Sequence, residues 1–152
     1  MSTAEERLTA LGLTLPEVAA PVAAYIPAVR SGSHVFTSGQ LPTRKGELMK
    51  TGKVGGGVSP EVATACAQQA GLNALAAIKA EVGSLDDIKR IVKVTVFVAS
   101  TPDFTGQPQV ANGVSLLLGE VFGDAGRHVR SAVGVPVLPL DAPVEVELMV
   151  EV

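Results

Sequence analysis

Two stretches of this chain alternate apolar and polar side chains with a period of two, and they dictate a β-sheet with one buried face. Between Ile88 and Ala99, Val92, Val94, Val96 and Val98 alternate with Lys93, Thr95 and Phe97. Near the C-terminus Val144, Val146, Leu148 and Val150 alternate with Glu145, Glu147 and Glu151, Met149 being the exception. Successive strand side chains point to opposite faces, so such runs describe a sheet covered on one side by helices. The cover is also legible. Ser59 is an N-cap, Pro60 sits at the first helical position, Glu61 lies in the first turn and Gly83 is a stop. Val62, Cys66, Gln69, Leu72, Leu75, Ala76 and Lys79 trace much of one face of that helix. A second helix is expected from Gln109 to Val121, with Leu116, Leu117 and Val121 inward, although Gly113 and Gly119 count against it.

The remaining segments complete the order α, then β-β-α-β-α-β-β. Residues 3–11 form a short helix, with Ser2/Glu5 or Thr3/Glu6 as a capping box, Leu8 and Leu11 inward and Gly12 as the stop. Leu13 to Pro21 wraps the surface. Tyr25–Arg30 and His34–Thr37 read as strands joined at Ser31-Gly32-Ser33, and residues 43–57, with five glycines, as a mobile loop. This is an α+β domain with a mixed sheet and both main helices on one face. The other face still carries Val and Phe, and a further subunit is its simplest cover.

Composition narrows the function. The chain has 152 residues, enough for one core, and at 47% apolar and 18% charged it is an ordered globular protein. Its net charge of −3 lacks the basic footprint of phosphate binding, which argues against nucleic acid. A single cysteine excludes an intramolecular disulfide and fits a reducing compartment. No apolar run reaches the ~18 residues that a membrane span needs, and Glu5, Glu6 and Arg7 do not suit a signal peptide, so a cytoplasmic protein is expected.

The residues with chemistry to offer concentrate between Arg130 and Glu145, which read as two strand segments around the Pro-rich Leu138–Pro143 connection. A guanidinium holds a carboxylate by a bidentate pair, and a glutamate holds or activates water. If both reach one pocket, they suit a small carboxylic acid. Strand alternation does not separate Glu145 from Glu147. Tyr25 is the only tyrosine, Ser38 is a strand-end hydroxyl or a turn serine, and Gly39 allows close backbone approach. Asn112 is either a site residue or a helix cap. Cys66 reads as a buried structural thiol. His34 and His128 are isolated, zinc spacing is absent, and Gly55-Gly56-Gly57 is not followed by the Gly-Lys-Ser/Thr of a phosphate loop. No metal and no cofactor are expected.

Three motifs together resemble the Rid family, the reactive intermediate deaminases also called YjgF-like or L-PSP-type proteins. They are Thr37-Ser38-Gly39-Gln40-Leu41-Pro42, the strand Val92–Val98 followed by Asp103-Phe104, and Arg130-Ser131 with Pro143–Glu147. The resemblance covers most of residues 20–152, and divides the chain into an N-terminal helix and extension (1–20) and a YjgF/Rid-like domain (21–152). It implies a chorismate-mutase-like α+β fold, a homotrimer with clefts between subunits, and hydrolysis of 2-imino acids or enamines to 2-keto acids and ammonia. By the same resemblance Arg130 binds the substrate carboxylate, Glu145 positions water, and Tyr25, Ser38, Gly39, Asn112 and Ala132 line the cleft. Ala132 stands where well-studied members carry a Cys. The N-terminal helix and the expanded Gly106–Gly126 segment point to a longer branch with weak or altered deaminase activity. The alternatives are a trimer that binds a keto acid without turnover and an endoribonuclease of the L-PSP type.

Overall fold

The computed structural model describes residues 2–21 and 23–152. Met1 and Val22, which fall within the two spans assigned from sequence, lie outside the described residues. Helix α1 (Ala4–Ala10) begins at Thr3, and of the two capping boxes it is Thr3 with Glu6 that forms. The Glu6 amide donates to Thr3 Oγ1 at 3.2 Å, and the Thr3 amide donates to Glu6 Oε2 at 2.9 Å. Leu8 enters the core as expected, but Leu11 is exposed, because the helix has ended before it.

Strands β1 (Ala28–Ser31) and β2 (His34–Thr37) form a hairpin, and a small hairpin of β3 (Thr43–Arg44) and β4 (Glu47–Leu48) follows. Helix α2 (Pro60–Val82), strand β5 (Arg90–Ala99), helix α3 (Gln107–Phe122) and strands β6 (Val129–Val135) and β7 (Val144–Glu151) complete the chain. The main sheet has the order β1-β2-β7-β5-β6. Among the strands of this sheet only β5 and β6 run parallel, so it is mixed, as expected.

Alternation places the core. Ile91, Val94, Val96 and Val98 of β5 and Val144, Val146, Leu148 and Val150 of β7 are buried with α2 and α3 on one face. Ser59 caps α2 by accepting the Val62 amide at 3.2 Å. The α2–α3 crossing is close because each helix offers a glycine to the other. A Cβ on Gly113 would overlap the Thr64 carbonyl oxygen, and one on Gly71 would lie 2.6 Å from a Val114 methyl. Gly113, which counted against a helix, is thus what lets α3 pack.

Besides Leu11, four expectations need correction. The first strand starts at Ala28, so Tyr25 lies in the bend before it. Residues 43–57 are not a free loop, because Val54 and Val58 are fully buried. The Val54 amide donates to the Ala99 carbonyl at 2.8 Å, and the Thr101 amide to the Val54 carbonyl at 3.0 Å, which seats this segment on the end of β5. On α3 the buried stripe is Val110, Val114, Leu117, Leu118 and Val121, whereas Leu116 is 64% exposed. Val62 on α2 is also exposed, one turn ahead of the packed face.

Candidate functional site

Arg130 is the second residue of β6, at the sheet edge, and lies opposite Val94, so its side chain shares the helix-covered face. There α3 takes it up. Arg130 Nη1 donates to Asn112 Oδ1 at 2.8 Å and to Ser115 Oγ at 3.2 Å. Ser115 Oγ is also 2.8 Å from His128 Nε2, and His128 Nδ1 is 2.7 Å from the Gly126 carbonyl oxygen. Asn112 is therefore not a helix cap, since α3 begins five residues earlier at Gln107. Ala132, opposite Val96, points to the same face and packs against the core.

Glu145 belongs to the other face. It lies opposite Phe97 on β5, in the row that alternates with the buried valines. The expectation that Arg130 and Glu145 meet in one pocket therefore fails within a single chain. Strand β5 is inserted between β6 and β7, and the two residues stand three positions apart along it. Strand spacing and rise put their Cα atoms roughly 14 Å apart, with side chains leaving opposite faces.

Around Glu145 is a cleft of about 900 Å³. Tyr25, Gly39 and Gln40 form part of its wall, Arg44 and Lys45 another part, and the segment from Pro16 to Pro21 a third. Gly39 makes room for the carboxylate, since a Cβ there would overlap Glu145 Oε2. The Gln40 amide donates to the Val146 carbonyl at 2.7 Å and the Val146 amide returns the bond at 2.9 Å, which fixes the two segments together. Ser38 is not on the wall. Its hydroxyl donates to the Ile26 carbonyl at 2.6 Å and its amide to the Pro27 carbonyl at 2.8 Å, so it holds the bend that carries Tyr25. Burial raises the Glu145 carboxyl above the ordinary carboxylate range, and Glu147 beside it adds to the rise.

Sequence reasoning passed over several of these groups. Ser115 and His128 carry no spacing motif, because the contact between them depends on how α3 lies along β6. Gln69 and Asn73 on α2 are buried, and Gln69 Nε2 donates to Asn73 Oδ1 at 3.3 Å. Asn73 Nδ2 then donates to the Leu41 and Thr43 carbonyls at 2.9 and 3.0 Å, bracing the cleft wall. A polar pair four apart on an otherwise apolar helix face was the available signal. Among the described residues no three His, Cys, Asp or Glu side chains gather as a metal-ligating set, and no helix is long and apolar enough to cross a membrane.

A five-stranded mixed sheet backed by two helices is an architecture that known proteins share. The chain belongs to the family described as "YjgF/chorismate_mutase-like, putative endoribonuclease", whose model matches residues 5–152. Protein TCP17 of Trypanosoma cruzi is 44% identical over 145 residues, which is 95% of this chain and 91% of that protein. A 2-iminobutanoate/2-iminopropanoate deaminase of Dermatophagoides farinae is 31% identical over 139 residues, 91% and 93% of the two chains. Among solved structures, the protein Atu1372 from Agrobacterium tumefaciens is 42% identical with a TM-score of 0.92, covering 99% of this chain and 93% of that one. Escherichia coli TdcF with bound serine is 26% identical with a TM-score of 0.67, covering 91% and 95%.

Proposed function

We propose that this protein is a cofactor-free hydrolase of 2-imino acids and their enamines, working as a homotrimer in which Arg130 of one copy and Glu145 of the next face a shared cleft. The observation that carries the reading is the division of the two groups between sheet faces. One chain presents a held guanidinium and a half-buried carboxyl that it does not bring together, and a second copy supplies the missing half. The similarity to a protein named as a 2-iminobutanoate/2-iminopropanoate deaminase supports the substrate class.

The chemistry follows from those two groups. Arg130 takes the substrate carboxylate and so fixes the imine carbon. Glu145 accepts a proton from a water as its oxygen bonds to that carbon, then passes the proton to nitrogen. Glu145 next carries the hydroxyl proton of the resulting carbinolamine to the same nitrogen, the C–N bond breaks, ammonia leaves and the carbonyl forms. An imine and one water thus become a keto acid and ammonia, with no redox change. Its raised pKa suits Glu145 to both halves of this shuttle. Tyr25 and Gly39 shape the cleft around the reacting carbon, and Ser38 places Tyr25.

A coupled assay tests the proposal. An amino acid oxidase generates imines from a panel of amino acids, and semicarbazide traps whatever survives. The wild type lowers the trapped product, and Arg130→Ala does not. Arg130→Lys loses most of the activity, since a point charge does not replace the fork. Equal trapping with and without protein across the panel would remove the hydrolase reading and favour a trimer that binds a small metabolite without turning it over.

A further inference from the structure

The hydrogen bonds behind Arg130 have a direction. The Gly126 carbonyl oxygen only accepts, so His128 Nδ1 carries the proton in that 2.7 Å contact. In the neutral ring Nε2 is then the acceptor, and the Ser115 hydroxyl, 2.8 Å away, gives its proton to it. The serine oxygen turns its lone pairs outward to receive Arg130 Nη1. A lone serine hydroxyl rotates freely, and the histidine removes that freedom. With Asn112 Oδ1 accepting the other Nη1 hydrogen, both protons of this nitrogen are engaged inside the chain. Among the described residues Nε and Nη2 make no hydrogen bond. Those two nitrogens form one edge of the planar fork, the edge that pairs side-on with a carboxylate.

We infer that Ser115 and His128 are positioning residues that lock the Arg130 guanidinium so that its Nε/Nη2 edge is offered to the ligand carboxylate. The inference rests on the role proposed for Arg130, and selects 2-oxo and 2-imino monocarboxylates that meet that edge in the plane of the fork. Neither residue touches the ligand. Both act by removing the rotations in which the guanidinium faces elsewhere, so their loss weakens carboxylate binding and leaves the water chemistry at Glu145 intact.

The test measures binding of 2-oxobutyrate by titration calorimetry, beside steady-state kinetics and the arginine Nε–H signals in ¹H–¹⁵N NMR spectra. The informative variant is His128→Asn, whose amide still donates to the Gly126 carbonyl but offers no acceptor at the Nε2 position. Ser115→Thr keeps the hydroxyl and Ser115→Ala removes it. Expected are affinities about tenfold weaker for Ser115→Ala, a smaller loss for His128→Asn and recovery in Ser115→Thr. KM rises with kcat nearly unchanged, and the Arg130 Nε–H signal broadens in the weakened variants. Combining Ser115→Ala with His128→Asn adds nothing beyond Ser115→Ala, because the histidine acts through the hydroxyl. Wild-type affinity in Ser115→Ala and His128→Asn, alongside weakened binding in Arg130→Ala, overturns the inference and leaves the Arg130 role standing. Undiminished binding in Arg130→Ala, or none in the wild type, overturns the Arg130 role and the inference with it. Should Ser115→Ala melt below the assay temperature, His128→Asn alone decides.

Discussion

Glu145 shows how one side chain is placed at a cost to the fold that carries it. Its carboxyl is held above the ordinary range by burial first and Glu147 second, so the folded chain keeps this proton more tightly than the unfolded one. Ionising it opposes folding. The penalty is absent below the unfolded value, about pH 4.3, and is complete once the pH exceeds the folded value. Glu145→Gln should therefore raise Tm at pH 7–8, by on the order of 2 °C, and the gain should vanish near pH 4. The same variant should lose activity if the carboxylate moves the proton, a stability gain bought with function. Thermal melts at the two pH values check the sign, and a gain that persists at pH 4 would contradict it. Gly39→Ala separates geometry from titration. Its Cβ would displace the far end of a flexible side chain, not backbone, so Tm should barely move while kcat falls about tenfold or more. Sequence alternation left Glu145 and Glu147 equivalent, because both stand on one face of β7. What separates them is Gly39, from the segment that follows β2, lying against Glu145, a tertiary fact that strand periodicity does not encode.

At the scale of elements, α3 links packing to the candidate site. It reaches α2 through Gly113 and holds Arg130 through Asn112 and Ser115. Gly113→Ala puts a methyl into the Thr64 carbonyl, and a backbone atom does not yield as a side-chain tip does. The helices must separate, so we expect a loss of about 2–3 kcal/mol in urea unfolding, with weaker 2-oxo acid binding as α3 shifts away from β6. A stability unchanged to within about 0.5 kcal/mol would mean that α3 can slide without consequence. The start of α2 was fully legible, since Ser59, Pro60 and Glu61 act on the first turn alone. Helix α3 starts two residues before the expected Gln109, because Gly106 caps it without any side-chain bond that the sequence would signal, and its inward stripe runs through Val114, Leu117 and Leu118, leaving Leu116 outside. The segment at 43–57 also differs from its expectation. Its glycines suggested mobility, whereas Val54 and Val58 bury themselves on either side of Gly55-Gly56-Gly57 and use those glycines to turn between them.

For the whole molecule, the sheet face away from the helices decides how many chains make one site. Val29, Phe36 and Val133 on that face are 46%, 40% and 43% exposed, and they share it with Phe97, Met149 and Glu145. Apolar side chains spread over strands β1, β2, β5, β6 and β7 are the surface that the proposed trimer would bury. The order of the strands was not readable from the chain, where β6 directly precedes β7. The pairing that inserts β5 between them also puts Arg130 and Glu145 out of each other's reach. A trimer with clefts between copies reconciles that separation with a two-residue mechanism. Neither Arg130→Ala nor Glu145→Gln should then turn over imines alone, but trimers assembled from an equal mixture of the two should. A cleft is complete where a Glu145→Gln copy, with its arginine intact, meets an Arg130→Ala copy, with its glutamate intact, in the correct order. Random assembly makes about a quarter of the clefts complete, and activity near that fraction of wild type is expected after co-expression of the two variants. Light scattering on the same sample reports the number of chains. Were both groups to act within one chain, every cleft in the mixture would carry a defect and the activity would stay at zero.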